Sequence, residues 1–286
     1  MAKKKKKLTR RPRVRKFILN CVKSTGTEQD WTFGDAVGAQ VLDKQKRLPV
    51  SVDLRENWWT VRNQGNSGAC VGFAAADGLL RWHYVKEKLI GRDEFTSPRF
   101  IWMANKETDD LVTYPTSFLD SAGTSTKLAL KVARKYGCVL ENMLPMRGRL
   151  STMNPHSFFT ISSQYRINAF YNLFQGGQNK LDAIRYWLAN HGPILTRLDV
   201  DHTFKYAKAK NPILEAYDPS KLYGGHAVCF VGYDDAKKQL IVRNSWGTKW
   251  ADKGFAYATY DYAEVAFDEA YGAMLNRLKL IYPPPN

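Results

Sequence analysis

The chain has 286 residues, 44% hydrophobic and 13% aromatic, which is enough apolar material for one large domain or two lobes packed on each other. Lys and Arg outnumber Asp and Glu by 43 to 27, giving +16, but residues 1–16 alone hold ten cations and no acid, leaving +6 for the other 270. No stretch approaches the ~20 apolar residues of a membrane span, and Cys21, Cys70, Cys138 and Cys229 are too widely spaced for a disulfide scaffold or a zinc site.

In chain order, the run from Lys3 to Lys16 repels itself and reads as a disordered tail. Its electrostatic partners are polyanions, either nucleic acid or an anionic membrane surface. The plainer alternative is a solubilising tail. Phe17 to Val22 is too short and too polar at Asn20 for a signal-peptide apolar region, so a cytoplasmic location is expected. Residues 17–48 form a leader of mixed character around Trp31 and Phe33, with a short helix expected over Asp35 to Leu42. The folded body begins with an extended entry segment at Leu48 to Asp53.

Cys70 to Lys88 carries the clearest helical stripe, with Val71, Ala74, Ala75, Gly78, Leu79, Trp82 and Val85 at three- and four-residue steps and Gly91 placed to end it. Gly72 and Gly78 lower its helix propensity, which implies close packing there. Phe100 to Glu107, Thr126 to Tyr136 (ended by Gly137) and Leu181 to Asn190 (closed by His191-Gly192-Pro193) are further helices. Beyond them the pattern changes to strands at 194–198, 226–233, 240–243 and 255–260, with a hairpin turn at 234–239. A mostly helical first part and a mostly β second part make the fold class α+β.

Three local patterns carry chemistry. Gln64-Gly-Asn-Ser-Gly-Ala-Cys70 places a glutamine six residues before a cysteine that opens a helix, Gly225-His226-Ala227 supplies an imidazole, and Asn244-Ser245-Trp246-Gly247 supplies an amide beside an indole. Acyl transfer needs those groups: a thiol nucleophile, a base, an orienting amide and a donor for the oxyanion. A helix N-terminus at Cys70 and a protonated His226 would both favour the thiolate. His226 would return its proton to the leaving amine. Asn244 would fix the imidazole, Trp246 would shield that bond from water, and Gln64 would bind the oxyanion with the Cys70 backbone N–H.

Together these residues resemble the papain-like cysteine peptidases over about residues 48–270. The local motif is Ser67-Gly68-Ala69-Cys70-Val71, with His226 and Asn244 lying 156 and 174 residues on. Ser67 stands where many secreted members carry a disulfide cysteine, as in an intracellular-type member. The resemblance implies a two-lobe fold, with a helical lobe over about 49–155, a β-barrel-like lobe over about 156–286, and the active site in the cleft between them. It also implies a substrate track at Asp120 to Thr124, where Gly123-Thr124 replaces the family's Gly-Gly, with Trp246 bordering it. The substrate is then a peptide or protein, and neither cofactor nor metal is needed.

A leader of this kind implies a zymogen. We expect residues around Cys21 to Val41 to cross the cleft, with Trp31 or Phe33 filling a subsite and processing near Leu48 releasing activity; the plainer alternative is an arm packed on the body. Cys21, Cys138 and Cys229 read as small buried hydrophobes. His83, His156, His191 and His202 read as structural, Trp58-Trp59 as core, and Asp109-Asp110 and Asp234-Asp235 as solvated turns. Two other functions fit the motifs: a thioester-forming acyltransferase, and a peptidase-derived binding module targeted by its basic tail.

Overall fold

In the computed structural model, the described residues are 17–42, 47–108, 123–148 and 151–275. The basic run, Asp109-Asp110 and Asp120 to Ala122 lie outside them.

The helix expected at Cys70 is a composite. It starts as α2 (Cys70–Gly72), continues as a π-helix over Phe73–Leu80, and ends as α3 (Arg81–Lys86). Val71, Ala74, Ala75 and Leu79 are buried, as the stripe requires. The two glycines are explained by contact. A Cβ on Gly72 would collide with the Pro98 carbonyl, and one on Gly78 would lie 2.7 Å from Cys229 Sγ. π stretches concentrate at functional sites because they re-aim side chains relative to a regular helix. The helix stops before Gly91: Lys88 takes a left-handed φ of 59°, and Leu89 N–H returns to the Tyr84 carbonyl at 2.8 Å. That is a Schellman closure, with a lysine in the glycine position.

Around it pack α4 (Pro98–Thr108) and α5 (Thr126–Lys135). Ser125 caps α5 through Leu128 N–H, and Gly137 ends it at φ 88°, against the Ser162 carbonyl, where a side chain has no room. That carbonyl belongs to α6 (Pro155–Gln164), a helix the apolar pattern did not reveal because most of its residues are exposed or half-buried and only Ser162 is fully buried. Its start is legible afterwards, with Asn154 as N-cap and Pro155 at the first helical position. In the leader, α1 spans Phe33–Gly38 and not 35–42, because Thr32 and Asp35 form a reciprocal capping box that fixes its start.

The strands are β1 (Ser51–Asp53), β2 (Ile167–Asn172), β3 (Ile194–Asp199), β4 (Ile213–Leu214), β5 (Gly225–Asp234), β6 (Gln239–Arg243), β7 (Phe255–Thr259) and β8 (Phe267–Leu275). They form one open sheet in the order β2-β8-β3-β5-β6-β7-β4, and β1 pairs with the far end of β5. The barrel-like part of the expectation is therefore an open sheet. β7 ends one residue earlier than expected, because Thr259 caps α9 (Tyr260–Ala266).

Period-two alternation along β5 divides the core. Ala227, Cys229 and Val231 face the cluster built on the composite helix, α4 and α5. Val228 and Phe230, and Tyr233 after the register shift between Phe230 and Gly232, face a second cluster with α7 (Lys180–Asn190), α8 (His202–Lys205) and α9. The sheet is thus buried on both sides, and β5 carries side chains into both cores. Among the described residues no helix is long and apolar enough to cross a membrane.

Candidate active site

Gln64 and Cys70 arrive on the chain segment that leads into the composite helix. Gly65 takes φ 64°, a turn that glycine adopts without strain. Gln64 N–H donates to the Ser245 carbonyl at 2.8 Å and Gly247 N–H donates to the Arg62 carbonyl at 3.1 Å. This short ladder brings the Gln64 turn alongside the Asn244-Ser245-Trp246 loop, though the two are about 180 residues apart in sequence.

The Gln64 side chain is 3% exposed and fixed at both ends. Its Oε1 accepts the Ser245 hydroxyl at 2.6 Å, and its Nε2 donates to the Ser67 carbonyl at 2.9 Å. Ser245 also donates its N–H to Asn244 Oδ1 at 2.7 Å. One serine thereby orients both amides, a role the sequence reading did not assign.

His226 lies in β5 opposite Leu198 of β3, and Asn244 follows directly after β6. His226 Nε2 and Asn244 Oδ1 are 2.7 Å apart. An amide oxygen only accepts, so the imidazole carries its proton on Nε2, and Nδ1, which has no other hydrogen-bond partner, is left toward Cys70. Trp246, 3% exposed, lies 4.8 Å from the His226 ring at 32°, and Phe204 meets it edge-on at 5.5 Å. The indole and phenyl rings keep water away from a bond that water would weaken.

Cys70 is fully buried. Its pKa is lowered well below the ordinary thiol value, first by a hydrogen bond from the Cys21 thiol and then, against the cost of burial, by His226 and the Ala227 N–H. Cys21 moves the other way, raised by burial and by its proximity to Cys70. Cys138 and Cys229 are buried and pushed up to about 12 by desolvation. All four cysteines are free.

The leader covers this centre. Phe17 stacks on Trp246 at 4.3 Å and 7°. Cys21 N–H donates to the Gly225 carbonyl at 3.0 Å, and Val22 N–H donates to the Thr124 carbonyl at 3.1 Å. Gly123, Gly224 and Gly225 line the passage: a Cβ would strike the carbonyls of Asn20, Leu19 and Cys21 respectively. Ser24 then donates both N–H and Oγ–H to the buried Glu269 carboxylate, at 2.6 and 2.7 Å, and Lys23 pairs with Asp268 at 3.1 Å.

Trp31 and Phe33 do not fill a subsite. Trp31 is 56% exposed, and Phe33 packs edge-on against Tyr186 of α7 in the second core cluster. Buried Asp30 anchors that stretch by an ion pair to Lys127 of α5 at 2.6 Å. It is the first segment, 17–24, that crosses the site. The sequence treated Cys21 as a small hydrophobe; only its neighbours in space make it more.

Behind the site, buried Asp77 of the π-helix pairs with Arg243 of β6 at 2.7 Å, within 3.8 Å of Arg62 and Arg81. Removing one partner of such a buried pair costs about 3–5 kcal/mol. The pair clamps the helix carrying Cys70 to the strand that leads into Asn244. Asp235, expected as a solvated turn, instead accepts from Arg185 at 2.5 Å and from the Tyr260 hydroxyl at 2.6 Å, tying α7 and α9 to the hairpin. His83 is buried in the core and its pKa falls to about 4 by desolvation and by His191. Among the described residues no group of His, Cys, Asp and Glu is arranged to hold a metal ion.

Comparison with known proteins agrees with this arrangement. The model of the papain family of cysteine proteases matches residues 48–270. A cysteine protease of Blomia tropicalis is 26% identical over 232 residues, covering 78% of this chain and 65% of that protein. A cathepsin L-like proteinase of Fasciola hepatica is 23% identical over 214 residues, covering 73% of this chain. The chain thus spans less than two thirds of these relatives' length, 65% and 60%. Among solved structures, xylellain, a cysteine protease from Xylella fastidiosa, superposes with a TM-score of 0.70 at 22% identity, over 95% of this chain and 100% of its own.

Proposed function

The chain belongs to the papain family of cysteine proteases, and from that premise we propose that it is a thiol endopeptidase held inactive by its own leader. The observation that carries this reading is the meeting of Cys70, His226, Asn244 and Gln64 in one buried centre, with residues 17–24 laid across it.

In the proposed reaction His226 Nδ1 takes the Cys70 thiol proton, and the thiolate that results attacks the carbonyl carbon of an extended peptide. The negative oxygen that forms is stabilised by Gln64 Nε2 and the Cys70 backbone N–H, which as the first helical N–H has no partner inside the helix. His226 gives its proton to the departing amine, leaving a thioester on Cys70. Water then attacks the thioester, His226 takes the water's proton, and the acid product leaves. Asn244 holds the imidazole in the useful tautomer throughout, and Ser245 keeps both amides oriented. Thr124 would pair with substrate backbone as its carbonyl pairs with the Val22 N–H, Gly123 would leave room for that backbone as it does for Asn20, and Trp246 would border the site on the Phe17 side.

The leader survives in the cleft because its carbonyl is misplaced. The Cys21 oxygen accepts from Arg197 Nε at 3.2 Å, while Gln64 Nε2 is engaged with Ser67. A carbonyl held by Arg197 is not polarised by the oxyanion donors, so attack on it gains nothing from them. Thiol chemistry needs Cys70 reduced, which supports a reducing compartment such as the cytoplasm. The run at residues 1–16 supports capture of a polyanion, which retention on heparin with and without those residues would test.

The deciding experiment is intact-mass labelling with an epoxysuccinyl thiol inactivator, on the full chain and on a version starting near Leu48, each checked for folding. One adduct on Cys70, absent in Cys70→Ala and faster in the shortened form, is the expected result. Folded protein that takes no adduct in either form refutes the peptidase reading and leaves a non-enzymatic binding module.

A further inference from the structure

The leader is attached to the body in two different ways. Residues 17–24 lie over the active centre, and Cys21 alone among them is fully buried. Residues 30–42 lie elsewhere and are built into the core. Phe33, Ala36 and Leu42 are buried in the second cluster, where the Phe33 ring meets Tyr186 of α7 edge-on at 5.3 Å. Asp30 pairs with Lys127 at 2.6 Å and accepts the Tyr271 hydroxyl at 2.9 Å, while Asn172 N–H donates to the Trp31 carbonyl at 2.7 Å. Between the two pieces lies a surface turn. Gly26 takes φ 61°, and Thr27–Gln29 make one tight helical turn with no buried residue. Thr25, Gly26, Glu28 and Gln29 are exposed. Side chains hook the turn to the body: Lys127 Nζ donates to the Thr25 and Gly26 carbonyls at 3.3 and 2.5 Å, and Gln175 Nε2 donates to the Thr27 hydroxyl at 2.9 Å.

We infer that the activating cut falls in this turn, between Thr25 and Asp30, rather than near Leu48, and that residues 30–42 stay in the mature protein as part of its core. This rests on the reading of the chain as a peptidase inhibited by its leader. Exposed turns of small and polar residues are where chains are nicked. The step is hydrolysis: water adds across one peptide bond, the new carboxylate leaves with the cleft-crossing piece, and the new amine stays on the body. An endopeptidase acting from a second molecule makes the cut, because residues 17–24 cover the Cys70 of the same chain.

The two positions have opposite consequences. A cut near Leu48 leaves residues 17–42 as one piece, still held at the cleft and in the core. Pulling that piece out strips Phe33, Ala36 and Leu42 from the second cluster and leaves a cavity behind. A cut in the turn separates only the cleft-crossing piece. Once untethered, that piece loses the high effective concentration that kept it docked, and dilution releases it. The Asp30 anchor and the three buried side chains remain on the body, so the core is unchanged.

The test treats the full chain with a trace of glutamate-specific endopeptidase, because Glu28 is the one glutamate in the first 48 residues. The expected early product begins at Gln29 by intact mass and sheds the piece ending at Glu28 on dilution. It should melt within about 2 °C of the uncut chain, and its Cys70 should take an epoxysuccinyl reagent more than about tenfold faster. Phe33→Ala should lower the melting temperature by roughly 5–10 °C in cut and uncut protein alike. In the double variant Glu28→Gln with Pro49→Glu, the glutamate moves beside Val50, which is 75% exposed. There Cys70 should stay as slow as in the uncut chain after the same treatment. A folded chain that resists cutting after Glu28, or a cut piece that stays bound on dilution, overturns the proposal. So does a Phe33→Ala effect that disappears in the cut protein. A double variant whose Cys70 becomes as fast as in the Glu28-cut form, with its melt unchanged, overturns it too. The underlying reading fails separately: a body that has shed the piece yet takes no adduct refutes the peptidase assignment, while the melts still decide the place of the cut.

Discussion

Phe17→Ala tests how tightly the leader is held without touching any residue placed in the chemistry. The wild-type ring stacks on Trp246 at 4.3 Å and 7°, and it is partly buried there. An aromatic pair contributes about 1 kcal/mol beyond its area. Removing a half-buried ring to Cβ forfeits about another 1 kcal/mol of apolar burial. Both terms exist only in the docked state, so the undocked population should rise by a free energy of about 2 kcal/mol, roughly 30-fold. When docking and undocking are fast relative to labelling, the rate of modification follows that population. The second-order rate of Cys70 inactivation by an epoxysuccinyl reagent on the full chain should therefore increase roughly 30-fold. A version starting near Leu48, which lacks the leader altogether, sets the upper limit of that rate. A full-length rate within twofold of wild type, in protein that remains folded, would show that the leader's grip does not depend on the stack.

Asn244→Ala removes the 2.7 Å bond to His226 Nε2. A hydrogen bond to a group that becomes charged contributes about 1.5–3 kcal/mol, so kcat/KM should fall roughly 10- to 100-fold without reaching zero; peptide hydrolysis by the leaderless form measures it. Docking of the leader should weaken on acidification. The Cys21 hydrogen bond lowers the Cys70 pKa in the docked state, so its contribution is complete above the undocked Cys70 pKa and is lost as pH falls through the docked one. Cys21→Ala removes that link, and the inflection in Cys70 alkylation against pH should then move upward; an unmoved inflection refutes the coupling. Gly72→Ala places a Cβ against the Pro98 carbonyl and should lower thermal stability by about 1–3 kcal/mol, while Gly38→Ala, with nothing within 4 Å, should be neutral in the same melt.

What the sequence by itself determined is a candidate site and its local supports. Gln64, Cys70, His226 and Asn244 are legible as candidates because the proposed roles demand particular side-chain types beside particular neighbours. The helix over Cys70 and the strand over His226 are legible because burial imposes periods of 3.6 and 2 on local sequence. Gly72 and Gly78 announced a close approach for the same reason, as glycine in a helix costs stability unless its missing side chain is needed.

Tertiary structure decided what depends on distant partners. The strands β2 and β8, and the open order of the sheet, follow from pairings across about 100 residues, which no local pattern encodes. α6 escaped because its surface is mostly exposed and leaves no stripe. Trp31 and Phe33 looked like the leader's contribution to the cleft because they are its largest apolar side chains. Their placement is governed instead by the Thr32 cap and the Asp30–Lys127 pair, which hold that stretch away from Cys70. Cys21 carried no signal of its own. Its place is set by the fold, which pairs the Cys21 N–H with the Gly225 carbonyl next to His226, a contact between residues far apart in the chain.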